Sequence, residues 1–250
     1  MRPVKRWRYI GVYGPDLMCC FGDVTIAGLP QQFWAVWDRD AKVLHERTRL
    51  RRGFVTLSDG RVRVRDRGVA IDLAFDERAG TPIDVTSDHG GNEIWTRKRA
   101  GLEFSGNVVL DGVPRTFRGR GVIDDTEGRH ARHTEWCWSA GVGTAASGEL
   151  VAWNLVDGVH DAPTGSERAV WIDGEPTEVA PVTFDLSLTE ITGGGLDLHC
   201  THEAVRERDD NLIVLRSKYA QPFGSFSGTL PGGLELAAGY GVMERHDVYW

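Results

Sequence analysis

An all-β fold made of two similar antiparallel units is what this chain predicts, and three observations predict it. Glycine supplies 31 of 250 residues, short segments of alternating polarity end in tight-turn dipeptides, and four short motifs recur in the same order about half a chain apart. One residue in eight is glycine, against about 7% in ordinary proteins, and glycine disfavours helix. Hydrophobic residues at 41% and charged residues at 26% describe a chain that folds around a core. The length suits one large domain or two small ones.

Strand signals are densest from Phe54 to Phe75, where FVTLSDG, RVRVRDRG and VAIDLAF read as a three-stranded meander with turns at Asp59-Gly60 and Arg67-Gly68. Within it Arg61, Arg63 and Arg65 alternate with Val62 and Val64, the pattern of a wet strand face. The same grammar recurs in IWTRKRAGLEF, NVVLDGVPRTF, AVWIDGEPTEV, VTFDLSL and LIVLRSKY, with Asp111-Gly112 and Asp173-Gly174 as further tight turns. The pattern predicts about sixteen strands. Helical periodicity is nearly absent, and only His202 to Asp210 fits a helical turn as well as it fits a strand end or a loop.

Self-similarity adds the larger organisation. Trp7-x-Tyr9 with Gly11-Val12 returns as Trp136-x-Trp138 with Gly141-Val142, and Ala35-Val36-Trp37 returns as Ala169-Val170-Trp171. Phe104-Ser105-Gly106 returns as Phe226-Ser227-Gly228, and Gly119 to Asp124 returns as Gly239 to Glu244. Four echoes in register imply an internal duplication, with a first unit over residues 1–128 and a second over 129–250, packed as one compact body. Each unit has the size of a small β-barrel, which encloses one small ligand or a packed interior.

A net charge of −7 opposes general affinity for nucleic acid or anionic membrane. No apolar run is long enough to span a bilayer, and the aromatic, proline-interrupted amino terminus does not read as a signal peptide, which points to the cytoplasm. Cys19, Cys20, Cys137 and Cys200 contain no C-x-x-C pair and read as buried thiols. The His and Cys spacings match no metal signature, so neither a metal nor another cofactor is expected. Oligomeric state is left open by the sequence.

Chemistry concentrates between Gly119 and Gly143, where Asp124, Asp125, Glu127, His130, His133 and Glu135 precede Trp136 and Trp138. Carboxylates, imidazoles and aromatic walls are the parts of an acid/base site in an apolar cavity, where desolvation lets a carboxyl donate a proton. On a strand from Arg132 to Ser139, His133 and Glu135 share one face and Trp136 and Trp138 the other, and both faces carry plausible lining residues. Asp124 is the expected general acid, with His133 or Glu135 as its partner. Trp136 and Trp138, with Asp125, Asn154, Glu244 and His246, are the expected ligand contacts. Segments 154–163 and 217–233 are expected at the cavity mouth.

The segments KRWRYIGVYGPDLM, DDTEGRHARHTEWCWSAGVG, NLVDGVHDAPTGSERAVWIDG, KYAQPFGSFSGTLPGG and GYGVMERHDVYW resemble a bacterial family catalogued as a domain of unknown function (2804), over nearly the whole chain. GRGVIDDTEGRHARHTEWCWSAG is also similar, more distantly, to a segment of carotenoid 1,2-hydratase and related lipocalin-like enzymes, in which G-x-G-aromatic-x-D-H-N-x-G is followed by W-x-W-S. Asp124 falls on the Asp of that pattern, Asp125 on its His, Thr126 on its Asn, and Trp136, Trp138 and Ser139 on W-x-W-S. Val122 replaces the aromatic, and the His and Asn are lost. That resemblance implies tandem calycin (lipocalin-like) barrels holding a hydrophobic small molecule of isoprenoid, lipid or polyketide type. It implies metal-free hydratase, cyclase or isomerase chemistry, with a non-catalytic lipid or pigment carrier as the rival reading.

Overall fold

The computed structural model of the chain describes residues 2–58, 60–211 and 216–250. Every regular element among them is a strand. The first sheet is built from β1 (Lys5–Tyr13), β2 (Leu17–Ile26), β3 (Leu29–Asp38), β4 (Val43–Arg49), β5 (Val55–Ser58), β6 (Arg61–Asp66), β7 (Val69–Phe75), β8 (Ile83–Asp88), β9 (Glu93–Leu110) and β10 (Val113–Gly128). The second is built from β11 (His133–Ala145), β12 (Leu150–Asp157), β13 (Ala169–Ile172), β14 (Glu175–Glu178), β15 (Val182–Phe184), β16 (Glu190–Gly193), β17 (Leu196–Asn211), β18 (Arg216–Leu230) and β19 (Leu234–Tyr249). No helix among the described residues is long and apolar enough to cross a membrane.

The first sheet runs β4-β3-β2-β1-β10-β9-β7-β6-β5, with β8 also on β9, and the second runs β14-β13-β12-β11-β19-β18-β17-β16-β15. Position for position the order is the same. The four sequence echoes fall on counterpart strands: β1 and β11, β3 and β13, β9 and β18, β10 and β19. One difference in strand order separates the units. The second sheet has a single long β17 where the first has β7 and β8, interrupted at residues 76–82, so His202 to Asp210 is strand. Each sheet curls back on itself. In the first, Gln32 on β3 bridges to the far edge, where its Oε1 accepts from the Val55 N–H at 3.3 Å and its Nε2 donates to the Val55 carbonyl at 2.9 Å.

Turn chemistry follows the dipeptides. Asp111 and Gly112 have φ of 49° and 84°, and Asp173 and Gly174 have 49° and 89°, the paired left-handed residues of a type I′ hairpin. Asp59, predicted in a turn with Gly60, lies outside the described residues, as do Leu212 to Leu215 of the predicted strand LIVLRSKY. On β6 the arginines are exposed and Val62 and Val64 buried, as alternation requires.

Three apolar clusters share the interior. One fills the first unit with Ile10, Val12, Phe21, Val62, Leu73 and Phe104 among others, and another fills the second with Trp153, Leu155, Ile191, Leu198 and Phe226. The third lies between the units, where Tyr9, Tyr13, Met18 and Trp37 of the first sheet meet Trp138, Trp171, Phe223 and Val242 of the second. Alternation does the sorting: on β1, Ile10 and Val12 enter the barrel while Tyr9 and Tyr13 face the other unit.

Long strands serve both compartments by means of bulges. On β9, Leu102 and Phe104 face the first barrel, whereas Ala100 faces the other unit. A register shift opposite Gly121/Val122, with Gly101 at φ 80°, turns one half of the strand over relative to the other. β17 repeats the device between His202 and Ala204, so that Leu198 and Cys200 enter the second barrel while Ala204 and Arg206 face the first unit. Glycine is required where strands close in: a Cβ on Gly121 would strike the Gly11 carbonyl oxygen, and one on its echo Gly241 the Ala140 carbonyl oxygen.

Candidate functional site

A cleft of about 180 Å³ opens between the two units. This corrects the expectation of a cavity within a barrel: both barrel interiors are filled by their own aliphatic and aromatic side chains. Across the cleft, β1, β10 and β9 stand on one side and β19, β11, β18 and β17 on the other, with the 158–168 loop closing one flank.

Apolar walls come from alternation on paired strands. Trp7 and Tyr9 project from β1, Phe33 from β3, and Trp136 and Trp138 from β11. The Tyr9 and Trp138 rings meet edge to face at 5.3 Å. Trp138 is fixed from behind, because its Nε1 donates to Asn154 Oδ1 at 2.8 Å and Asn154 Nδ2 donates to the Glu167 carbonyl at 2.9 Å.

Polar chemistry falls into three zones. In the centre, Glu244 of β19 accepts from Trp136 Nε1 at 2.9 Å and from Gln221 Nε2 at 3.0 Å. Burial pushes its carboxyl up to about 7, against the pull of the Trp136 hydrogen bond. Beside it His246 lies against Trp136 at 4.4 Å and has Ser217 Oγ 2.7 Å from Nε2. Burial lowers that imidazole to about 4, so the ring is neutral.

On the flank nearest β9, Lys98 is buried between two carboxylates, with Nζ 2.7 Å from Asp124 Oδ1 and 3.2 Å from Glu167 Oε1. Burial works against its charge, but the two acidic neighbours outweigh it and the ammonium is held. Asp124 Oδ1 also accepts from the Thr126 hydroxyl at 3.0 Å. Glu167 is pushed up to about 7 by burial in spite of Lys98. His160, whose Nδ1 lies 2.8 Å from Ser87 Oγ, is lowered to about 3 by burial and then by the Lys98 charge.

The opposite flank, nearest β3 and β17, is cationic. Arg206 is fully buried, its guanidinium stacked over Phe33 at 4.6 Å and its Nε donating to exposed Glu46 at 2.9 Å. A second donor nitrogen reaches the Tyr219 hydroxyl at 3.3 Å.

Of the residues expected from sequence, Asp124, Trp136, Trp138, Glu244 and His246 come together on the cleft. Asn154 stands behind the wall as the support of Trp138 and of the Glu167 backbone. Asp125, one residue from Asp124, points to the barrel side of β10, where Arg8 Nε is 3.7 Å away. His133 and Glu135 lie on the outer face of β11, exposed and paired with Asp247 at 2.8 Å and Arg245 at 2.8 Å. The partners of Asp124 are therefore Lys98 and Thr126. Alternation along β11 separates the two sets, and the tryptophans have the inner face. The expected mouth segment 217–233 is mostly strand β18, whereas 158–163 belongs to the loop that closes the flank.

Lys98, Glu167, His160 and Arg206 went unforeseen because they come from separate strands and loops. Lys98 carried a signal: it sits in the buried alternation Ile94, Thr96, Lys98, Ala100 of β9, an inward register a lone lysine occupies only with partners.

A cleft with aromatic walls and a buried carboxyl that titrates near neutrality is suited to proton transfer. Its tryptophan faces are suited to a cation that forms beside them.

The family described as a domain of unknown function (DUF2804) matches residues 61–250. No curated protein matches the chain in sequence. Among solved structures, kievitone hydratase from Nectria haematococca superposes with a TM-score of 0.63 at 11% identity, over 96% of this chain and 88% of that one. A protein of Nitrosomonas europaea described as AttH gives 0.58 at 13% identity, over 98% and 92%. CghA, crystallised with Sch210972, gives 0.55 at 9% identity, over 99% and 88%. At these identities the likeness is one of fold.

Proposed function

This chain belongs to the domain of unknown function (DUF2804) family, and from that premise we propose that it binds an apolar small molecule between its two units and acts on it by acid–base chemistry. Glu244 is the proton-transfer group. The observation that carries this reading is a fully buried carboxyl, brought to about 7 by its surroundings and hydrogen-bonded to a tryptophan of the cleft wall. Near pH 7 about half of such a group holds its proton, the condition that favours a general acid or base.

In the proposed step protonated Glu244 delivers its proton to a double bond of the ligand. Positive charge then develops against the faces of Trp136 and Trp138; loss of a neighbouring proton completes an isomerisation, attack by a second double bond followed by proton loss a cyclisation, and capture of water with loss of one of its protons a hydration. Asp124 and Glu167, bridged by Lys98, form the second acidic group and orient the ligand or accept the second proton. That one fold neighbour is a hydratase and another was crystallised with Sch210972 supports this choice. The sequence carries the accompanying choice of the cytoplasm as its location.

Native mass spectrometry of the protein from its own host tests the reading. The expected result is a bound apolar small molecule that the purified protein converts, with Glu244→Gln retaining the ligand but losing about 100-fold or more in turnover. A ligand returned unchanged makes the protein a carrier, and a protein that neither retains nor takes up apolar molecules overturns the proposal.

A further inference from the structure

Besides Arg8 Nε, which lies 3.7 Å from Asp125 Oδ1, three residues on one cleft carry buried polar atoms that find no hydrogen-bond partner among the described residues: Glu167 Oε2, His160 Nε2 and both ring nitrogens of His130. The residues are 3%, 6% and 1% exposed. Buried polar atoms are nearly always satisfied in native proteins, because an open one keeps its desolvation penalty. Asp23, Glu77 and Glu149 carry open atoms away from this cleft, whereas these gather on a single cavity whose wall also carries aromatic side chains.

Two of them are held as a pair. The Glu167 N–H donates to the His160 carbonyl at 3.1 Å, closing the loop so that both side chains stand on the same flank. His160 is held at φ 52°, a backbone conformation that an L-residue seldom adopts. Its far ring nitrogen is fixed by Ser87 Oγ, and Glu167 Oε1 is taken by Lys98. The atoms left over belong to residues that line the cavity.

Resting on the reading of the cleft as a binding site, we infer that its ligand is an apolar alcohol, with the hydroxyl seated between His160 Nε2 and Glu167 Oε2. A hydroxyl both donates and accepts, so it completes the pair whenever at least one of His160 Nε2 and Glu167 Oε2 carries a hydrogen. An ether or ketone oxygen only accepts. A carboxylate would enter beside Asp124 and Glu167, two acidic groups that share one lysine. His130, between Trp7 at 5.0 Å and Trp250 at 6.3 Å, extends the same unsatisfied surface along the wall.

Quenching of tryptophan fluorescence by octan-1-ol, 1-methoxyoctane and octanoate tests the inference on the full chain. Octan-1-ol is expected to bind about tenfold more tightly than the ether or the carboxylate, as two hydrogen bonds of ordinary net strength allow. In His160→Asn, which tolerates the left-handed backbone but cannot reach the hydroxyl, the preference should fall below about threefold. Glu167→Leu, checked for native circular dichroism, should behave alike. Equal binding of all three probes, or a preference that survives in both variants, overturns the alcohol and leaves the cleft a binding site. If none of the probes quenches, the binding reading falls and the inference falls with it.

Discussion

Glu244 and Asp124 occupy echoed positions on counterpart strands, yet their neighbours make them different acids. Asp124 faces Lys98 across β9 and β10, whereas Glu244 faces Gln221 across β18 and β19. Exchanging a lysine for an amide on the adjacent strand leaves one carboxylate ion-paired and the other with burial as its dominant influence. The consequence is a definite pH profile. His130, His160 and His246 are lowered from 6.5 to about 3, 3 and 4, so below pH 6.5 the unfolded chain binds protons that the fold refuses, and stability falls as pH falls. Glu244 and Glu167 are raised from 4.5 to about 7, so between those values the fold keeps protons that the unfolded chain releases, and stability falls as pH rises. His89, which burial also lowers, joins the histidines, so four groups against two leave a net rise in stability from pH 4.5 that flattens towards neutrality. Denaturant titrations should show that shape, and Glu244→Gln should steepen the rise by one proton, about 1.4 kcal/mol per pH unit. Both carboxylates were legible in the sequence because the echo aligned them. His133 and Glu135 were misplaced because alternation fixes which residues share a face and leaves open which face turns inward.

The strands do more than alternate, and the elements that matter most are those that change sides. β9 and β17 keep even-numbered residues inward along most of their length, but the inside is a barrel at one end and the cleft at the other. Nothing in hydrophobic pattern marks that exchange, since Leu102 and Ala100 are equally buried. The glycines of the crossing strands are a better guide. Gly121→Ala should lose about 3 kcal/mol or more of unfolding free energy in urea, since its Cβ meets the Gly11 backbone and the Phe104 ring. Gly112→Ala, at an open hairpin tip where nothing lies within 4 Å, should lose only about 1–2 kcal/mol from its left-handed backbone. Comparable losses at the two positions would contradict the crowding described at Gly121. Tight turns such as Asp111-Gly112 were readable from two letters. Bulges were not, because they depend on the register of a neighbouring strand distant in sequence.

Across the whole molecule, the division at Gly128 that the echoes suggest is a proposal with a physical test. Residues 1–128 carry the outer face of Tyr9, Tyr13, Met18, Cys20 and Trp37, all buried only because the second unit covers them. Prepared alone, that segment should self-associate and bind a hydrophobic dye, and mixing it with residues 129–250 should restore one cooperative melting transition. A monomeric first segment with native stability would show that the shared cluster contributes little. Repeated order and strand content were legible from composition and echo. The position of the cleft was not, because it lies where two distant outer faces meet. In a single-barrel binder the bore is tied to the number of strands, so a larger guest demands a different barrel. Here the guest lies outside both bores, and its permitted size is set by how one unit is seated on the other, a dimension that can drift while both cores stay as they are.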